Sequence, residues 1–597
     1  MVEFQLNYVL ARTEPRKVMA ALNSLPNDLH EAYNEVFKRI QMQGPDRKDL
    51  VLKIVSWILY AKRPLKMDEL REAIAIEPGD TKLDPNYLLE PGFIVEISES
   101  LVSYNENSGS VGFSHFTVYE FLASLEAPSL LSAVDFAKVC LTCLDFQEFE
   151  ARCESPESME EMLQKHPFCR YIGEYWGPHL READEDADVQ KLVLSVFVSD
   201  NKRYWALTMK RYVMCGAEDM WDYKGQTLFH VIAKNGLAMT CRYALELSLN
   251  GYILSQKSKL MEYSTESMIP GLQNSDLDLA GQDEHGKTAL QYAVRRDHVE
   301  MVKILANAGG TSNNTPDEQG WTVLHHAIWN RSLRAVQAIL ATNIDLNAQD
   351  KSGRTAMFLA AVIRPNPEIL KLLLDKGANP DSCMPRGRLL YEIVCVGGNP
   401  RSLACFKLLL AAGVNVNAQV GSFRWTPLHE AAAHRCEEFL KPLLDVKADI
   451  SIRDHDGLTA MELAILIDYT TGVKLILETN PDLNMRDAEE RTALHHAVLY
   501  GSIESMKLLL DANADVNARD KDGWTPLHYA AGKELHRVEW QRRKELVDML
   551  LKANAEVNAE TKEGMNPLRL ALKREDVDQE SVNLLLDATG GSAANSP

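Results

Sequence analysis

A motif of the form Asp-x-x-Gly-x-Thr-x-Leu-His-x-Ala recurs through the second half of this 597-residue chain. A chain that repeats itself about every 33 residues buries its apolar faces by stacking each unit on the next. The threonine of the motif falls at Thr227, Thr288, Thr322, Thr355, Thr426, Thr459, Thr492 and Thr525, with degenerate copies at Leu389 and Asn566. Thr288 and Thr322 are 34 residues apart, and Thr426, Thr459, Thr492 and Thr525 follow one another at 33. Longer gaps put insertions around Gly397–Pro400, Glu534–Arg542 and Gly251–Ser275. The local chemistry of one unit is explicit. Thr525 is a helix N-cap, and Pro526 at the first helical position sacrifices no hydrogen bond. Leu527, Ala530 and Ala531 form the inward stripe of a short helix. Asp522-Gly523 supplies the projecting turn before it.

DGWTPLHYAA (Asp522 to Ala531), RWTPLHEAA (Arg424 to Ala432), GWTVLHHAI (Gly320 to Ile328) and ERTALHHAV (Glu490 to Val498) resemble the ankyrin repeat. The resemblance implies a helical solenoid of about nine or ten repeats that binds other proteins through its finger tips and the concave face of its first helices. The candidate contacts are residues just before the threonine (Trp321, Arg354, Trp425, Trp524) and residues at the end of the first helix (Arg295, Arg296, Trp329, Asn330, His434, Tyr500). Trp, Tyr and Arg are the side chains enriched at binding hot spots. The tryptophans have two readings: contact with a partner, or packing across the neighbouring finger. The histidines His325, His429, His495 and His528 stand one per repeat, and the family pattern gives them a hydrogen bond to the adjacent threonine and backbone rather than catalysis.

No 33-residue pattern precedes Asp222. Apolar residues spaced by three and four predict helices over Glu14–Leu25, Asn27–Gln43, Arg47–Ala61 and Lys66–Ile76. Alternation predicts strands over Ser98–Tyr104 and Ser110–His115, and Phe116–Ser124 reads as helix again. Helices from Asn27 onward plus a hairpin make a winged-helix plan. The third helix has Lys66 and Arg71 against Asp68, Glu69 and Glu72, which argues against a DNA-reading role.

LNSLPNDLHEAYNEVFKRI (Leu22 to Ile40), GFSHFTVYEFLAS (Gly112 to Ser124), VCLTCLDF (Val139 to Phe146) and YIGEYWGPHL (Tyr171 to Leu180) resemble, in order, the winged-helix module and following helices that come after the NACHT domain in fungal NLR-like (STAND) proteins. FQLNYVLARTEPRKVMAAL (Phe4 to Leu22) looks like the last helices of the NACHT region. A NACHT domain binds ATP through a loop ending in Gly-Lys-[Ser/Thr]. The string Gly281 to Thr288 has this form but is the turn and threonine of a repeat, and the resemblance puts the NACHT loop upstream of Phe4, so no nucleotide site is expected.

The expected fold is mainly α. It comprises a remnant of the NACHT-type helical end (1–25), a winged-helix domain (26–128), a helical connector (129–221), an ankyrin α-solenoid (222–590) and a disordered tail (591–597). Cys140-x-x-Cys143, with Cys153, His166 and Cys169 beyond it, fits no zinc template and reads as buried helix cysteines. The acidic run Glu182, Asp184, Glu185, Asp186 and Asp188 reads as a solvated linker. Lys and Arg total 64 against 85 Asp and Glu, a net charge of −21 that disfavours nucleic acid and anionic membranes as partners. The expected function is non-catalytic protein recognition, as a scaffold or sensor arm, with no catalytic residue, cofactor or metal and a cytoplasmic location. The alternative is the regulatory and sensing part of a longer ATP-hydrolysing switch whose phosphate loop lies upstream.

Overall fold

The computed structural model describes residues 29–124, 130–151, 155–215, 226–257, 278–309, 313–382, 388–532, 540–574 and 577–590. The expected helix Glu14–Leu25, the 1–25 remnant, residues 258–275 and 534–539 of the insertions, Cys153 and the 591–597 tail lie outside the described residues. The chain divides into two compact units, Met1–Glu318 with Ala341–Asn343, and Gln319–Leu340 with Ile344–Pro597.

The first unit begins with α1 (Leu29–Met42), α2 (Pro45–Tyr60) and α3 (Met67–Ala75). The spacing in α1 puts Tyr33, Val36, Phe37 and Ile40 in the core. α2 starts two residues before the predicted Arg47 because Pro45 takes the first helical position, behind Gly44 at φ 96°. Lys66 stays outside α3; its N–H donates to Glu69 Oε2 at 2.8 Å. A helix the periodicity did not reveal, α4 (Pro91–Ile97), ends just before the predicted first strand. Glu99 and Ser100 then turn through φ 47° and 66°, so strand β1 begins only at Val102 and ends at Asn105. β1 pairs antiparallel with β2 (Ser110–Phe113), Val102 opposite Phe113 and Asn105 opposite Ser110. Asn105 Oδ1 accepts from the N–H groups of Asn107 and Ser108 to shape the turn. Val111 N–H donates to Leu65 O at 2.9 Å, which ties this wing to the start of α3. Helix α5 spans Phe116–Ser124.

The connector consists of α6 (Ala133–Leu144), α7 (Pro156–Lys165), α8 (Phe168–Glu182), α9 (Ala187–Phe197) and α10 (Asp200–Cys215). Its core is continuous with that of the winged helix. Trp57 of α2 is fully buried and meets Phe136, Phe168 and Tyr171 edge-on, with ring centroids 4.6, 5.2 and 6.1 Å away. Tyr171 in turn shares a 2.7 Å hydrogen bond with His179 Nε2 and accepts from Lys62 N–H at 3.0 Å. Cys140, Cys143 and Cys169 are buried free thiols in this core, with the Sγ atoms of Cys143 and Cys169 3.7 Å apart.

The acidic run after Arg181 is not wholly solvated. Asp184 is buried, and its carboxylate accepts from Met239 N–H at 2.7 Å and Thr240 N–H at 3.0 Å. It caps the helix Ala238–Lys257, where an anion meets the positive end of the helix dipole. Burial pushes its carboxyl up, and the hydrogen bonds from Thr240 and Met239 pull it back. Asp186 caps α9 through Asp188 and Val189 N–H.

The repeats follow, each a short first helix and a longer second one. In the first unit they include Leu228–Asn235 and Ala238–Lys257, then Ala289–Arg295 and Val299–Gly309. In the second unit they begin with Val323–Trp329 and Leu333–Leu340, and end with Pro567–Leu572 and Gln579–Ala588. Asn513 closes its helix at φ 62° and Asn554 at φ 64°, the left-handed position that Gly377 and Gly413 fill elsewhere. One repeat departs from the pattern. Thr355 to Leu370 is one residue longer than the equivalent Thr426 to Leu440, and the extra residue is absorbed in a π-helical turn over Leu359–Ile363. Arg364 N–H reaches back to Leu359 O at 2.8 Å across that turn.

Candidate protein-binding face of the repeats

The threonine and histidine of each motif form a latch. Thr322, Thr426, Thr492 and Thr525 Oγ1 lie 2.7–2.9 Å from Nδ1 of His325, His429, His495 and His528. Each Nε2 then meets a carbonyl of the next repeat, that of Arg354, Leu458, Trp524 or Met565, at 3.1–3.3 Å. In the first unit His230 makes the same bridge from Thr227 to Lys287 O. A carbonyl only accepts, so Nε2 carries the proton and Nδ1 accepts from threonine. Burial holds His230, His429 and His528 below the ordinary histidine range and lowers His495 to about 4. These neutral, doubly bonded imidazoles are joints between repeats. Gln291 and Glu462 substitute at this place, accepting from Thr288 and Thr459 N–H.

A second set of bonds rigidifies the fingers. Asp487 Oδ1 accepts from Glu489 and Arg491 N–H, and Oδ2 accepts from the Arg491 guanidinium at 2.8 Å and His496 Nε2 at 2.9 Å. Burial alone pushes this carboxyl up, but the hydrogen bonds from His496 and Arg491 outweigh it and hold Asp487 far below the usual range. Asp520 receives Tyr529 at 2.6 Å, and Asp283 receives Tyr292 at 2.5 Å. The signal was in the sequence: Tyr292, His496 and Tyr529 each stand nine residues after their aspartate.

The expected contact residues divide accordingly. Arg354 is bound to its own finger by Asp350 at 2.8 Å. The Trp425 indole N–H donates to Asp454 of the next finger at 3.0 Å. Trp524 packs at 74° to Tyr529, and Tyr500 stacks on His496. Trp321 lies 5.3 Å from Trp329 and 5.2 Å from His326, centroid to centroid. These tryptophans are half-buried in the array's own packing. Trp329, Asn330 and His434 face solvent, with His434 Nε2 3.1 Å from the buried Glu430 carboxylate. In the first unit Arg295 and Arg296 are exposed at the end of their helix. Sequence reasoning missed Arg364, whose guanidinium sits 4.3 Å over the Trp329 ring. The inserted residue in its helix shifts it out of the expected register, and that shift was the only available signal.

The winged-helix face that reads DNA in other proteins is covered here. Helix α3 packs against α8, with Glu72 Oε2 accepting from Phe168 N–H at 2.8 Å. Glu69 on the same helix takes both arms of Arg63 at 2.7 and 2.8 Å.

Comparison with known proteins agrees with this architecture. The model for ankyrin repeats matches residues 264–350, 310–383, 390–487 and 468–540, and a single-repeat model matches 522–562. The model for the GPI inositol-deacylase winged helix domain matches residues 39–137. The chain therefore carries ankyrin repeats behind a winged-helix domain of that type. Among curated proteins it is similar to the nuclear factor NF-kappa-B p105 subunit of Gallus gallus, 31% identical over 31% of this chain and 19% of the relative. It is also similar to the B-cell lymphoma 3 protein homolog of Mus musculus, 31% identical over 30% of this chain and 40% of the relative. The ankyrin repeat protein nuc-2 of Neurospora crassa is 26% identical over 34% of this chain and 18% of the relative. The chain spans less than half the length of each of these relatives. Among the described residues no helix is long and apolar enough to cross a membrane.

Proposed function

We propose that this chain is a non-catalytic protein-recognition arm, cytoplasmic, of an NLR-like signalling protein. One observation carries the reading. The repeats spend buried polar side chains on joining one another and on bracing their own fingers, and leave Trp329, Asn330 and His434 exposed at the ends of first helices. That division suits a scaffold whose outer residues specify a partner. The domain layout follows the same reading: winged helix to about residue 128, connector to about 221, repeats to 590. Nucleic acid is disfavoured as a partner by the charge of −21 and by the covered face of α3.

The test is Trp321→Ala combined with Trp329→Ala, compared with wild type for partner capture from source cells and for thermal melting. Weaker capture with unchanged melting is the expected result. A double variant that loses cooperative melting assigns the two rings to packing instead.

The winged-helix match favours a second reading, in which this chain is the sensing half of an ATP-hydrolysing STAND switch. Intact mass of the native protein decides it. A native chain reaching upstream through a Gly-Lys-[Ser/Thr] loop makes the repeats' ligand a trigger. A mass equal to this sequence leaves an adaptor without a nucleotide cycle.

A further inference from the structure

We propose that the repeats beginning at Thr322, Thr355 and Leu389 carry a docking stripe for an acidic peptide segment of another protein, anchored by apolar side chains. The inference rests on the protein-recognition reading above and specifies its partner. Three exposed apolar residues define the stripe: Trp329 at 39%, Ile363 at 40% and Val396 at 56% exposure. They occupy the same place in three successive repeats. Trp329 and Val396 each lie seven residues after Thr322 and Leu389, and Ile363 lies eight after Thr355 because of the residue absorbed in the π-helical turn. The first helices of these repeats pack side by side, so the three side chains step across them at about 10 Å, the ordinary distance between packed helices. The stripe has an end. In the next three repeats the same place holds the small Ala433, the half-buried Leu466 and the buried Leu499.

Charge sets the chemistry of the occupant. A chain of −21 favours basic partners in general. The stripe is set up for the opposite. Arg364 directly follows Ile363 and lies over the Trp329 ring. Arg354 and Arg491 are neutralised by their own fingers' aspartates. Among the described residues no carboxylate pairs with Arg364, nor with Arg331 and Arg334 close to Trp329 in sequence. A guanidinium stacked on an indole keeps its N–H edge open for a bidentate carboxylate. The stack also holds the side chain in place beforehand, so less entropy is lost on binding. An aspartate or glutamate flanked by large apolar residues satisfies both features at once.

The experiment selects 12-residue peptides from a random display library on the purified full chain. Synthetic copies of the binders are then measured by fluorescence anisotropy. Binders that combine Asp or Glu with large apolar residues are expected. Arg364→Glu weakens them at least tenfold, and exchanging the peptide's acid for lysine recovers part of the loss. Trp329→Ala weakens them comparably, while thermal melting of both variants stays that of wild type. Binders rich in lysine and arginine overturn the stripe, as do binders indifferent to both substitutions; either result leaves the broader recognition reading standing. A variant that melts early is replaced by Arg364→Gln, read in the same way. A library that yields no binder overturns the stripe and leaves the recognition reading to partner capture.

Discussion

The winged helix with its connector and the ankyrin repeats are both helical, yet they are held together by different kinds of bond. In the first region the decisive contacts are single and span long stretches of chain: Trp57 against Phe136 and Phe168, Glu72 on Phe168 N–H, Asp184 on Thr240. In the repeats the contacts are short-range copies of one design, threonine to histidine to the next carbonyl, repeated from Thr322 to Met565. A region built of unique contacts fails at one residue. A region built of copies loses one joint and keeps the others.

The sharpest way to break this contrast is Trp57→Ala. Deleting a fully buried indole with three edge-on partners costs about 3–5 kcal/mol. The expected outcome is that hydrogen exchange accelerates across α2, α6 and α8, while the repeat between Thr492 and Asp520 keeps its protection. Equal loss of protection in both places refutes the separation.

The next effect is one of sign. Burial pushes the Glu72 carboxyl up to about 8, helped by Asp68 and Glu148 and opposed by Phe168 N–H and Arg71. The native state then holds a proton that the unfolded chain, near 4.5, has released. Its contribution is complete below about 4.5 and is lost as pH rises toward 8. His495 runs the other way. Its neutral form is buried and its value falls from 6.5 to about 4, with Asp520 and Asp487 opposing the burial. Its contribution is complete above 6.5 and is lost as pH falls to about 4. At roughly 1.4 kcal/mol per pH unit, the first amounts to about 5 kcal/mol and the second to about 3 kcal/mol. Urea unfolding against pH, followed by exchange in each region, is expected to show opposite slopes. Glu72→Gln flattens the first. His495→Gln flattens the second while keeping the latch, as Gln291 does naturally.

The smallest effect is Asp184→Ala, which uncaps the helix at Ala238 and costs about 1–2 kcal/mol. Faster exchange confined to the Met239 and Thr240 amides is expected. No change at those amides returns Asp184 to the solvated linker the sequence suggested.

How much was legible depended on the distance over which each bond acts. The repeat register, the threonine caps and α5 at Phe116–Ser124 were readable because neighbours within a few residues determine them. The histidine latch was readable in part: the family pattern pairs it with threonine, and the structure adds the carbonyl of the next repeat. Helix α4 was not, since Pro91–Ile97 is too short to show a period. The candidate contacts were placed by their position in the repeat. The structure then tied Arg354 and Trp425 into finger bonds, left Trp329 exposed, and added Arg364 through a one-residue register shift.

By itself, then, the sequence determined the helices α1, α2, α3 and α5, how the repeats are phased and which residues cap them. Those choices are made by backbone and side chains close along the chain. Only the tertiary structure decided that Asp184 is a buried cap, that α3 is covered by α8 and that Trp329 lies open beneath Arg364. Burial and pairing depend on what stands opposite in space, and in these cases the opposite residue lies from 35 to 96 positions away.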